Sequence, residues 1–151
     1  MKLSLIFTSI AILLTSVHSQ SYAVVTDRFL NVNQALIPAN IECANVFIAN
    51  HLFTVGSLPN VPYLAEGPVV ANEPNSESDL DDITGCATCW TLTSISTGLS
   101  ANFLMAGYAS NFGISPIAMD YLNNYGSSVP PSFAVTAVQA SPSDCKYTPP
   151  S

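Results

Sequence analysis

Four cysteines that follow an apolar leader constrain this chain more than any other feature. Residues 1–19 read as a signal peptide. Lys2 supplies the positive n-region, Leu3 to Leu14 the apolar h-region, and Val17 and Ser19 the small residues before a cut after Ser19. The apolar run is about twelve residues long, short of the roughly 20 that a membrane span needs, and no second run follows it. The sequence therefore predicts a secreted protein with no membrane span and a single domain over 20–151, located in the extracellular space or the cell wall. Secretion places Cys43, Cys86, Cys89 and Cys145 in an oxidising compartment, where an even set of cysteines forms disulfides. Two bonds follow, with three possible pairings. The Cys86-Ala87-Thr88-Cys89 spacing also suggests a zinc site or a redox pair. Zinc would need four ligands, and a redox pair would need a cytosol-like βαβ setting, so neither metal nor cofactor is expected.

Charge removes further classes. Without its leader the chain keeps Arg28 and Lys146 as its only long cations against ten carboxylates, a formal charge of 2 − 10 = −8. Nucleic acid is excluded as a partner, because neutralised phosphates supply most of that affinity. Anionic membrane surfaces are disfavoured for the same reason. A neutral or cationic polymer such as a wall polysaccharide stays open. Five of the ten carboxylates fall in Glu73 to Asp82, where Leu80 is the one apolar residue, so this segment is expected to be a solvated loop. It lacks the ligand spacing and central glycine of an EF-hand.

Patterning gives a mostly β chain with short helices. Residues 21 to 27 are rich in β-branched and aromatic types, and 89 to 95 alternate Trp90 and Leu92 with Thr91 and Thr93, so both read as strands. Asn102 to Ala109 and Phe133 to Ala140 are further strands whose alternation is less clean. Helical spacing runs over Ala44 to Phe53 and over Ser115 to Leu122, the second with Ser115 as N-cap and Pro116 at the first helical position. Gly56 and Pro59 close the first helical region. Trp90 reads as core, Gly113 as a turn residue, and Lys146 to Ser151 as a disordered tail.

The groups that covalent catalysis needs are missing from the pattern. A triad requires a base, and His51 is the one histidine beyond the leader, placed inside the first predicted helix with no Gly-x-Ser-x-Gly elsewhere. Glycoside hydrolysis needs two facing carboxylates, and outside the acidic segment Asp27, Glu42, Glu66, Asp120 and Asp144 offer no pair that the sequence singles out. Phosphate loops and dinucleotide fingerprints are absent. No catalytic residue is nominated, and the chain reads as a non-enzyme.

Several motifs in order resemble the cerato-platanins. They are the cysteine spacing of 43, 3 and 56, Cys86-Ala87-Thr88-Cys89-Trp90, Thr54-Val55-Gly56-Ser57-Leu58-Pro59, Phe112-Gly113-Ile114-Ser115-Pro116, and Val135-Thr136-Ala137-Val138-Gln139 before Cys145. The match runs from about Thr26 to Cys145. The resemblance implies a six-stranded double-psi β-barrel like the first domain of expansins, with short helices and the disulfides Cys43–Cys86 and Cys89–Cys145. It also implies a secreted fungal protein without hydrolase activity. Such a protein binds or loosens polysaccharide, of chitin-oligosaccharide or cellulose type, self-associates at surfaces, and elicits plant defence through a host receptor. Loosening of this kind is non-covalent, through competing hydrogen bonds and sugar rings stacked on aromatic faces.

The sequence departs from that pattern at the groove. Ala109 stands where the family has an aspartate, Gly113 where it has an asparagine, and Thr26-Asp27 where it has Tyr-Asp. The carbohydrate contacts expected from what remains are Asp27, Tyr108, Ser110 and Asn111. Two alternatives have their own motivation. A surface-active structural protein would suit the 48% apolar and 9% charged composition. A glycan-cleaving enzyme working with a single carboxylate has relatives in the barrel family, and Ala109 counts against it.

Overall fold

The computed structural model describes residues 18–37, 39, 41–67, 85–124 and 132–148. The leader up to residue 17, the acidic segment 73–82 and the last tail residues 149–151 lie outside the described residues.

Six strands close a barrel. They are β1 (His18–Val25), β2 (Leu64–Gly67), β3 (Cys89–Ser94), β4 (Ser100–Tyr108), β5 (Phe112–Ile114) and β6 (Ser132–Ala140), in the spatial order β1-β5-β2-β4-β3-β6. Two pairings are parallel, β1 with β5 and β2 with β4, and the rest are antiparallel. Closure leaves no sheet edge exposed. The fold is the mostly β, six-stranded double-psi β-barrel with short helices and two disulfides. Strand β1 starts two residues before the expected cut after Ser19, and its register with β6 shifts between His18 and Ser21.

Two hydrophobic cores lie on opposite sides of the barrel wall. Ala23, Ala65, Leu92, Phe103, Met105, Phe112, Ile114, Val135 and Ala137 fill the interior, which α2 (Pro116–Asn123) plugs with Ala118, Met119 and Leu122. Outside the wall, Leu64, Leu104 and Ala106 meet an outer layer built from Phe29, Leu36, Ile41, Phe47, Val55 and Leu58. Strand β4 therefore alternates between two buried faces, Phe103 and Met105 inward, Leu104 and Ala106 outward. This is why its sequence lacks the apolar-polar alternation of a half-exposed strand. Both disulfides tie the outer elements to this wall: Cys43–Cys86 and Cys89–Cys145 have S–S distances of 2.09 and 2.07 Å.

The four strands read from sequence are present with shifted ends, and α2 has the anticipated cap. The Ser115 hydroxyl accepts from Ala118 N–H at 3.3 Å, and Pro116 opens the helix. Other readings change or are refined. The first helix is only α1 (Ala44–Ile48); the backbone turns at His51, whose φ of 61° is left-handed, so His51 lies in an exposed turn. Gly113 sits in β5, buried, and not in a turn. Trp90 packs against the inner core as read but is only partly buried, with its indole N–H donating to Thr88 Oγ1 at 3.0 Å. Strands β2 and β5 had no reading as strands. The tail is ordered at its start: Tyr147 is 5% exposed, packs edge-on against Phe47 at 6.0 Å between centroids, and its hydroxyl accepts from Asn50 Nδ2 at 3.0 Å.

Candidate functional site

Pairing across β1, β5, β2 and β4 determines which side chains meet on the outer face of the barrel. Ala23 and Phe112 are paired and point inward, so the next pair, Val24 and Gly113, points outward. Gly113 pairs in turn with Glu66 of β2, and Glu66 with Gly107 of β4. Glu66 thus lies between two glycines on neighbouring strands. A Cβ at Gly113 would overlap the Glu66 side chain, coming within 2.8 Å of Cδ, and one at Gly107 would come within 2.5 Å of Glu42 Oε2. Neither glycine has a left-handed φ, so a side chain at either position would contest space, held by Glu66 at Gly113 and by the end of the Glu42 side chain at Gly107, and not backbone conformation.

The two carboxylates share one guanidinium. Arg28, in the turn after β1, places Nη1 at 2.6 Å from Glu42 Oε1, 2.8 Å from Glu42 Oε2 and 2.8 Å from Glu66 Oε2. The side chains of Arg28, Glu42 and Glu66 are 37, 32 and 13% exposed. The hydrogen bond to Glu42, opposed by some burial, raises the proton affinity of Arg28 further above its ordinary value. Half-exposed ion pairs contribute on the order of 1 kcal/mol or less to folding. The cluster carries one uncompensated negative charge. Tyr108, at the end of β4, has its hydroxyl 2.9 Å from Cys86 Sγ. Burial, helped by the charge of Glu42, pushes its phenol up to about 12.

Of the residues nominated from sequence, Tyr108 lies near this cluster. Asp27 is exposed in the turn beside Arg28. Ser110 and Asn111 form the connection between β4 and β5, Ser110 exposed and Asn111 half-buried. By register Asn111 lies beside Tyr22, so Asp27 is removed from it by on the order of 15 Å along the strands. The structure does not bring Asp27 together with Ser110 and Asn111. Ala109 contributes only backbone here, its N–H donating to Gly67 O at 2.9 Å. Sequence reasoning passed over Arg28, Glu42 and Glu66. Among the described residues no group of three or more His, Cys, Asp or Glu is placed to hold a metal, and no helix is long and apolar enough to cross a membrane.

No protein-family model matches the chain, and no curated protein matches it in sequence. Solved structures do match. Cerato-platanin 3 from M. perniciosa superimposes with a TM-score of 0.68 at 22% identity, over 85% of this chain and 100% of that one. Cerato-platanin 2 from M. perniciosa gives 0.66 at 18% identity, over 85 and 100%. The solution structure of the fungal elicitor cerato-platanin gives 0.59 at 20% identity, over 82 and 95%. Across nearly the whole length of these proteins, the chain has the cerato-platanin fold.

Proposed function

We infer that this is a secreted, non-catalytic protein of the fungal wall or its surroundings. It binds or loosens polysaccharide of chitin-oligomer or cellulose type and is perceived by a plant host as an elicitor. The observation that carries this reading is the cerato-platanin fold, shared with a fungal elicitor over 82% of the chain. The outer barrel face supports it with groups suited to sugars: planar carboxylates and a guanidinium for hydroxyls, and Tyr22, 53% exposed, for ring stacking. Pull-down on insoluble chitin and on cellulose tests the binding. Retention on one of them is expected, and passage of the protein through both removes polysaccharide from the reading. Leaf infiltration with purified protein tests elicitation separately, with a defence response expected.

A second reading, a surface-active protein that self-associates, is favoured by the outer layer. Leu30, Val32, Ile37 and Phe53 are all exposed there, and backbone bonds from Gly56 N–H to Val32 O and from Leu36 N–H to Phe53 O bind the segment together. A fall in surface tension at micromolar protein is its signature; an unchanged value rejects it.

A further inference from the structure

We propose that the outer face formed by Tyr22, Gly113, Glu66, Glu42 and Arg28 is a subsite for an amino sugar with a free, protonated amine, so that the protein prefers partly deacetylated chitin-type oligomers to fully acetylated ones. The proposal rests on the polysaccharide-binding reading and names the sugar class within it.

Three observations combine. Tyr22 and Val24 are alternate residues of β1 and share its outer face, and Val24 continues across the sheet to Gly113 and Glu66. Tyr22 therefore lies two strands and two residues from Glu66, on the order of 12 Å, a span that a disaccharide or longer oligomer covers. A ring stacked on the exposed tyrosine brings a neighbouring ring over the ion cluster. At the cluster, two carboxylates meet a single guanidinium, leaving one negative charge in a half-exposed setting that attracts an ammonium and is not offset by another cation among the described groups there. A neutral acetamide gains nothing from that charge. Finally, Gly107 and Gly113 leave room for Glu42 and Glu66 to lie against the wall, with Glu66 only 13% exposed. Their shared hydrogen bonds to Arg28 Nη1 order both carboxylates before a sugar binds. With ten carboxylates and few cations in the chain, the net charge of the protein attracts a polycation.

The test uses the full secreted chain with two probes of equal length, a glucosamine hexamer and an N-acetylglucosamine hexamer, followed by calorimetry and residue-resolved NMR. The expected result is about tenfold tighter binding of the glucosamine oligomer at low salt, the order that one extra charge pair gives at a half-exposed site, with the preference shrinking as salt rises. Shifts are expected at Tyr22, Val24, Arg28 and Glu66. Glu66→Gln and Glu42→Gln, which keep size and shape, are expected to remove most of the preference by weakening the glucosamine oligomer about tenfold more than the acetylated one. Tyr22→Ala is expected to weaken both oligomers alike. Asp144→Asn, which removes one charge from the opposite end of the chain, controls for bulk attraction and is expected to leave the preference intact. Equal binding of the two oligomers overturns the proposal and leaves polysaccharide binding standing. So does a preference lost equally in Asp144→Asn, or NMR shifts confined to other faces. Failure of both oligomers to bind overturns the polysaccharide reading itself.

Discussion

At the scale of the residue, Gly113 is the most informative position. The family resemblance places an asparagine there, and the glycine suggests a turn; in the structure it is a strand residue whose missing side chain is occupied by Glu66. A side chain at 113 and a glutamate at 66 exclude one another. Gly113→Asn is accordingly expected to cost about 2 kcal/mol, the usual cost of overpacking. In the Glu66→Gly background the same change is expected to cost little, a coupling of about 1 kcal/mol or more. Urea unfolding of the four proteins in this cycle measures it, and additive effects would show that the two positions do not compete. Tyr108 gives a second test. Below pH 10 its phenol is neutral in the folded and unfolded chain alike. Between 10 and 12 the unfolded phenol ionises while the folded one holds its proton, so the unfolded state is favoured as pH rises through that window. A spectrophotometric titration should therefore show a phenol ionising near pH 12 that is missing in Tyr108→Phe. The ion cluster itself was not legible because its members are distant in sequence, with Arg28 and Glu66 separated by 38 residues. The usable signal was scarcity: Arg28 is one of two long cations after the leader, and Glu42 and Glu66 are among the few carboxylates outside the acidic segment.

Among the elements, the strands legible in sequence were those with enough β-branched or aromatic residues to declare themselves, β1, β3, β4 and β6. Strands β2, Leu-Ala-Glu-Gly, and β5, Phe-Gly-Ile, are four and three residues long and contain glycine, which local propensity scores against. They exist because their neighbours supply the hydrogen bonds: β5 lies between β1 and β2, and β2 between β5 and β4. Tertiary context likewise shortened α1. Its periodicity extends to Phe53, but the left-handed residue His51 turns the chain so that Leu36 N–H reaches Phe53 O. The tail was misread for the same reason, since nothing local in Lys-Tyr-Thr-Pro-Pro-Ser reveals a pocket made by α1. Tyr147 closes that pocket, with Phe47 at its ring edge and Asn50 on its hydroxyl. Tyr147→Ala is expected to destabilise the protein by about 3 kcal/mol, the order found for emptying a buried aromatic site. Tyr147→Phe should lose about 1 kcal/mol with the hydrogen bond. A midpoint in urea unchanged by Tyr147→Ala would mean that the outer layer stands without its last residue.

For the whole molecule, position within the outer core makes the two disulfides unequal in a way that chain length does not. Their sequence separations, 43 and 56, are close, and the entropy of closing such loops gives each about 4 kcal/mol. Deleting either pair is therefore expected to lower stability by a similar amount. Their surroundings differ. Cys89 and Cys145 are both fully buried, between β3 and the turn at Pro142–Cys145 that caps the wall. Cys43 is buried, but its partner Cys86 is only partly so, at the margin of the outer core. A small thiol can reach Cys86 without the barrel opening, whereas reaching Cys89 requires its strand to leave both β4 and β6. Under graded reductant with trapping of free thiols, Cys43 and Cys86 are expected to be labelled first, while Cys89 and Cys145 remain joined. In that intermediate the amides of α1, which the bond holds against the wall, should lose protection from hydrogen exchange and those of β3 and β4 should keep it. Simultaneous labelling of all four cysteines would mean that the outer layer and the barrel unfold as one unit. Prior release of Cys89 and Cys145 would mean that the pairing of β3 with β4 and β6 does not shield that bond.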